Sequence, residues 1–101
     1  MFNIKIVKLI SGEDIIANVS EELEEAGLLV LSKPLQIMMV PNGQNQFGIG
    51  LAPYCPYAKD SIVPIRSGAV ISIFDPETEM LNEYNSRLGS GIIVPESKII
   101  V

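Results

Sequence analysis

The stretch Ser61-Ile62-Val63-Pro64-Ile65-Arg66-Ser67-Gly68-Ala69-Val70-Ile71-Ser72-Ile73-Phe74 sets one arginine and one glycine between two short apolar runs rich in β-branched residues. Val, Ile and Phe suit a pleated, half-buried surface, and the few residues between the runs leave room only for a tight connection. The stretch reads as two strands joined by a very tight turn.

The rest of the chain carries the same strand chemistry. Residues 3–10 (Asn-Ile-Lys-Ile-Val-Lys-Leu-Ile) alternate imperfectly and read as a strand. Ser11-Gly12 is a turn dipeptide, and residues 13–20 read as the returning strand of a hairpin. Glu21, Glu22, Glu24 and Glu25 form an acidic connection. It reads as a solvated loop, because a calcium loop needs alternating Asp/Asn ligands and a glycine that this run lacks. Leu28-Leu29-Val30-Leu31 fits a buried strand, and Pro34, which has no backbone donor, marks an edge, a bend or a bulge before residues 35–40 continue. Pro41-Asn42-Gly43-Gln44-Asn45 is a turn. In residues 46–52, Phe47, Ile49 and Leu51 share one face and Gly48 and Gly50 the other, as in a strongly bent sheet with close backbone approach. Pro53-Tyr54-Cys55-Pro56-Tyr57-Ala58-Lys59-Asp60 is a proline-punctuated loop.

After Phe74 the pattern changes to helix over residues 75–89. Asp75 suits the cap, Pro76 the first helical position, and the acidic residues that follow suit the positive end of the dipole. Leu81, Tyr84 and Leu88, with Met80 alongside, form a stripe for packing on the sheet or on a neighbour. Gly89-Ser90-Gly91 closes the helix. The tail, residues 90–101, holds two Ile/Val clusters suited to adding an edge strand, to pairing with another chain, or to fraying at the terminus.

The chain has 101 residues, enough for a single domain of 1–101 with a modest core. Hydrophobic residues make up 48% and charged residues 19%, which excludes a disordered chain and leaves apolar surface for contacts between subunits. A net charge of −5 argues against long-range attraction for nucleic acid. One cysteine and no histidine exclude an internal disulfide and the usual zinc sites within one chain, and no cofactor is expected. No apolar run approaches the roughly 18 residues of a membrane span. The opening Met-Phe-Asn-Ile-Lys does not read as a signal peptide, so the expected location is a cytoplasm, the protein's own or a host's.

Two segments in this order resemble the Sm and Sm-like (LSm) family. Val7-Lys8-Leu9-Ile10-Ser11-Gly12-Glu13-Asp14-Ile15-Ile16-Ala17-Asn18-Val19 looks like the opening of its first motif, and Ile65-Arg66-Ser67-Gly68 looks like the Arg-Gly turn of its second, with Ser67 where the family has glycine. The resemblance covers roughly residues 3–74. It implies a mainly β fold, a small open barrel made from one strongly bent antiparallel sheet, here with one C-terminal helix. Typical members place their helix before the first strand. RNA-binding members also supply an Asp and an Asn from the loop between the second and third strands, where this chain has Glu21-Glu22-Leu23-Glu24-Glu25-Ala26-Gly27. The chain is similar to a divergent member of the kind carried by bacterial viruses.

The resemblance implies a homo-oligomeric ring whose partners are its own copies, then RNA or other proteins. Arg66 and Gly68 are the RNA-contact candidates it implies. Tyr54, Tyr57 and Lys59, in the neighbouring loop, are the supporting candidates. Arg66 offers a planar, permanently charged donor set, or it serves structure by pairing with Asp60 or with a carboxylate across a subunit boundary. The tyrosines serve either to stack on bases or a partner or to cover the open end of the sheet. The alternative function is an assembly protein that binds only proteins. Enzyme chemistry is not expected, because no nucleophile elbow, phosphate-binding loop or metal spacing accompanies the Ser, Lys and Cys residues; Cys55, near Lys59, is the one candidate nucleophile.

Overall fold

The computed structural model describes residues 2–41, 43 and 45–90. Six strands form one antiparallel sheet: β1 (Phe2–Leu9), β2 (Asp14–Ser20), β3 (Leu28–Pro41), β4 (Phe47–Pro53), β5 (Ile62–Arg66) and β6 (Val70–Phe74). Helix α1 (Thr78–Ser90) follows. The strands run in the order β4-β3-β2-β1-β6, and β5 pairs with β3. This is the mainly β, bent open sheet with a single C-terminal helix that the sequence predicts. The tail with the two Ile/Val clusters lies outside the described residues, apart from Ser90.

One irregularity in β3 governs the shape. Ile16 opposes Leu35 and Asn18 opposes Ser32, so two residues of β3, Lys33 and Pro34, stand against the single Ala17 of β2. Lys33 takes a positive φ of 53°. This is the bulge that Pro34 signalled, and it reverses which alternate residues face which side. Before it, Leu29 and Leu31 point into the barrel with Val7, Leu9, Ile15, Ala17 and Val19, against partly buried Tyr54, Val63, Ile65, Val70 and Ile73. After it, Leu35 and Ile37 turn to the opposite face and pack with Ile6, Ile16, Leu51 and Tyr84 beneath α1.

The long β3 therefore serves two partners on one edge. Its first half pairs with β5, Leu28 opposite Arg66 through Ser32 opposite Ile62. Its second half pairs with β4, Leu35 opposite Pro53 through Pro41 opposite Phe47. The loop 54–61 spans the break between them, and the Tyr54 backbone N–H donates to the Pro34 carbonyl at 3.0 Å.

Helix α1 crosses the outer face of the sheet. Tyr84 is 0% exposed, and its hydroxyl donates toward the bulge carbonyls, 2.9 Å from Lys33 O and 3.2 Å from Ser32 O. Met80 and Leu88 pack on the same cluster, and Arg87 Nη1 donates to the Leu51 carbonyl at 2.9 Å. The helix begins at Thr78, two residues later than Pro76, the first helical position that a cap at Asp75 predicts. The Asp75 carboxylate is held by Lys5 Nζ at 2.5 Å, and the first turn closes instead with Leu81 N–H on Glu77 O at 2.9 Å.

Candidate functional site

The turn that follows Arg66 is the corner that brings β5 round to β6. Residues Ser67–Ala69 make one 3-10 turn between extended Arg66 and Val70. Both sides of the corner are fastened to distant chain. The Ser67 N–H donates to Gly27 O at 2.8 Å, and the Ile10 N–H donates to Ala69 O at 2.9 Å. The corner thus sits between the β1–β2 hairpin turn and the exit of the acidic β2–β3 connection. Sequence reading singled out the turn but did not identify Gly27 and Ile10 as its partners, because carbonyl and N–H groups leave no signature in residue type.

Arg66 is exposed at the end of β5. Among the described residues its guanidinium makes no ion pair or side-chain hydrogen bond, and the pairing with Asp60 is not formed: Asp60 lies before β5 and Arg66 at its far end, and β5 alone spans roughly 13 Å. Gly68 is also exposed, has no positive φ, and a Cβ built there would meet nothing within 4 Å. The turn therefore does not need glycine within one chain, because a 3-10 turn uses backbone angles open to every L-residue. Ser67 Oγ is shielded from solvent and has no hydrogen-bond partner among the described residues.

The acidic segment curls into a 3-10 turn, Glu24–Ala26, that ends on Gly27 with a φ of 82°. Glu21, Glu22, Glu24 and Glu25 are all exposed. Their charge lies on the side of the corner that Ser67 reaches, which lowers the potential felt by any phosphate near Arg66.

Tyr54, Tyr57 and Lys59 lie at the other end of β5. The structure brings these three together in one loop and does not bring them to Arg66. Tyr54 packs against the barrel core, and burial raises its phenol pKa. Tyr54 is partly buried, whereas Tyr57 is 86% exposed. The Tyr57 hydroxyl pKa is raised by a hydrogen bond with the Cys55 thiol and by that group's charge. Lys59 is exposed. Cys55, Asp60 and Ser61 all hold positive φ, between 55° and 58°. Each such non-glycine residue costs about 1–2 kcal/mol, so the loop keeps a shape that local preference opposes.

The chain matches the family model described as Sm_like domain over residues 6–85. No curated protein matches it.

Proposed function

We propose that this chain, which belongs to the Sm-like domain family, works as a non-enzymatic module that assembles with its own copies into a ring. The observation that carries this is the pair of free sheet edges. Among the described residues β6 pairs only with β1, and β5 pairs only with β3. Ile62 on β5 and Ile71 and Phe74 on β6 are exposed. The two edges belong to different strands, so a contact joining them runs head to tail and closes as a ring when the rotation permits. The test is sizing with light scattering at micromolar concentration. The expected result is a multiple of the 11.0 kDa chain mass, reduced to a monomer in Ile71→Lys; a strictly monomeric parent refutes the proposal.

Arg66, with Gly68 beside it, is the RNA-contact surface in this reading, and Tyr57 and Lys59 form a second surface a strand length away. Their separation within one chain means that one short RNA reaches both only by spanning that length or by crossing to a neighbouring copy. The second reading is assembly through proteins alone, favoured by the four carboxylates of the acidic segment that leads to Gly27. Salt separates the two, because phosphate contacts weaken steeply as salt rises. A ring whose binding of a short uridine-rich or adenine-rich RNA falls with salt, and is lost in Arg66→Ala, supports the RNA reading. A ring indifferent to RNA supports protein assembly. No described helix is long and apolar enough to cross a membrane; a cytoplasmic setting is part of the same proposal.

A further inference from the structure

The far part of the β3–β4 hairpin carries apolar side chains that nothing in the described structure covers. Met39 is 67% exposed, Phe47 63% and Ile49 58%, and Met39 opposes Ile49 across the hairpin. The hairpin also lacks charge. The chain has 7 basic and 12 acidic residues, yet none lies between Lys33 and Lys59. Edge strands are ordinarily guarded by charged side chains, bulges or a covering segment. Over residues 47–51, β4 has none of these, and among the described residues it pairs only with β3.

The register shows which backbone groups this edge offers. In an antiparallel pair, alternate residues turn N–H and C=O toward the neighbouring strand and the others turn away. The Tyr54 N–H donates to Pro34 O at 3.0 Å, so Tyr54, Ala52, Gly50 and Gly48 turn toward β3. Pro53, Leu51, Ile49 and Phe47 then turn outward. Two observations agree. Pro53 opposes Leu35 and Pro41 opposes Phe47, so each proline stands where the ladder asks for no N–H. The Leu51 carbonyl accepts from Arg87 Nη1 at 2.9 Å, which an outward carbonyl can do. Pro53 thus closes one end of the edge, and Arg87 occupies the Leu51 carbonyl. The N–H and C=O of Phe47 and Ile49 remain open.

We infer that this edge pairs with the same edge of a second copy, antiparallel about a two-fold axis at Gly48. With Gly48 opposite its own copy, Phe47 faces the partner's Ile49, and Ile49 faces the partner's Phe47. Each facing pair exchanges two hydrogen bonds, so every open group of Phe47 and Ile49 is used. An axis at Ile49 would instead ask for the Leu51 carbonyl, which Arg87 holds. The opposed glycines fall at the close, non-hydrogen-bonded position, and Phe47 meets isoleucine on the face that carries Met39. Leu51 and its copy stand roughly 20 Å apart along the pair, so the two helices do not meet. Charge favours a second copy at this place: chains of net charge −5 repel, and the charge-free hairpin lets two of them meet without opposing like charges. Three such side chains bring on the order of 300 Å² per copy, against about 800 Å² in a standard interface. One hairpin pair is therefore weak, and several acting together hold more firmly.

Disulfide trapping tests the register without relying on a ring. Opposed Cα atoms at a non-hydrogen-bonded position lie about 4.5 Å apart, within disulfide reach. Gly48→Cys and Ala52→Cys are each made in a full-length Cys55→Ser background, oxidised with diamide at high protein concentration and resolved on a non-reducing gel. The copies of position 52 would lie roughly 26 Å apart along the pair. The expected result is dimer forming at least ten-fold faster in Gly48→Cys than in Ala52→Cys. Adding Ile49→Pro, which removes an outward N–H and no bond to β3, should slow it several-fold. The same cross-link should form when Ile71→Lys is added to break the ring contact. Cross-linking no faster in Gly48→Cys than in Ala52→Cys overturns the inference. A cross-link that disappears with Ile71→Lys overturns it too, since ring proximity then explains the contact.

Discussion

Tyr84 joins the two halves of the architecture, and replacing it in two steps tests whether the bulge holds the helix. The ring is fully buried between α1 and the sheet, and the hydroxyl donates to the Lys33 and Ser32 carbonyls at the bulge. Tyr84→Phe keeps the ring and removes one donor. A hydroxyl carries one proton, so a single bond is lost, at about 0.5–1.5 kcal/mol, with up to about 1–3 kcal/mol if the shielded carbonyl finds no other donor. Tyr84→Ala also removes the ring and leaves a cavity under Met80 and Leu88, for a total of about 3–5 kcal/mol. Urea unfolding at fixed protein concentration gives both values as shifts in midpoint at unchanged slope. Titration adds an independent sign. Burial pushes the Tyr84 phenol up to about 12 from an ordinary value of 10.0. The folded state thus holds this proton more tightly than the unfolded state, and its contribution is complete below pH 10 and lost as pH rises toward 12. Parent stability should fall more steeply than that of Tyr84→Phe across that window. A Phe variant as stable as the parent, with the same alkaline loss, refutes the hydroxyl's role at the bulge. A Phe variant as damaged as Ala refutes the division between hydroxyl and ring.

Three further outcomes follow from the turns. Gly12 holds a φ of 109° in the β1–β2 hairpin, so Gly12→Ala should cost about 1 kcal/mol or more in thermal unfolding, whereas Gly68→Ala should change stability by no more than about 0.5 kcal/mol. Ser67→Ala removes a shielded hydroxyl that has no described partner; its midpoint should be unchanged or raised, by up to about 1 kcal/mol, and a loss of that size would show that the hydroxyl is satisfied. Arg66→Ala should leave unfolding within about 0.5 kcal/mol of the parent in a monomeric state, while a larger loss confined to the assembled protein would place the guanidinium in the subunit contact.

Much of the fold was legible because strand chemistry is local. The hairpin at Ser11-Gly12, the break at Pro34, the turn after Pro41 and the Arg-Ser-Gly corner are each written in residues whose backbone preferences act within a few positions. The helix stripe was legible for the same reason, since Met80, Tyr84 and Leu88 recur at helical spacing. Its start was misplaced because Asp75 suits either a backbone cap or an ion pair, and Lys5, seventy positions away in the chain, decides between them.

The candidate site was legible only in its parts. Sequence proximity grouped Arg66 with Tyr54, Tyr57 and Lys59, and the structure separates them by the length of β5. The tyrosines also divide: Tyr54 contributes to the core and Tyr57 stands in solvent, although both occur in the same proline-punctuated loop. Sequence by itself determined the composition class, the strand-turn order and the packing stripe of α1, because periodicity and turn chemistry are properties of short segments. The tertiary structure alone decided the rest: the reversal of faces at Lys33 and Pro34, the anchoring of the Arg66 corner by Gly27 and Ile10, and the uncovered face of the β3–β4 hairpin. Each depends on which distant strands share an edge, and pairing between uniform backbone groups leaves no mark on the identity of the residues that make it.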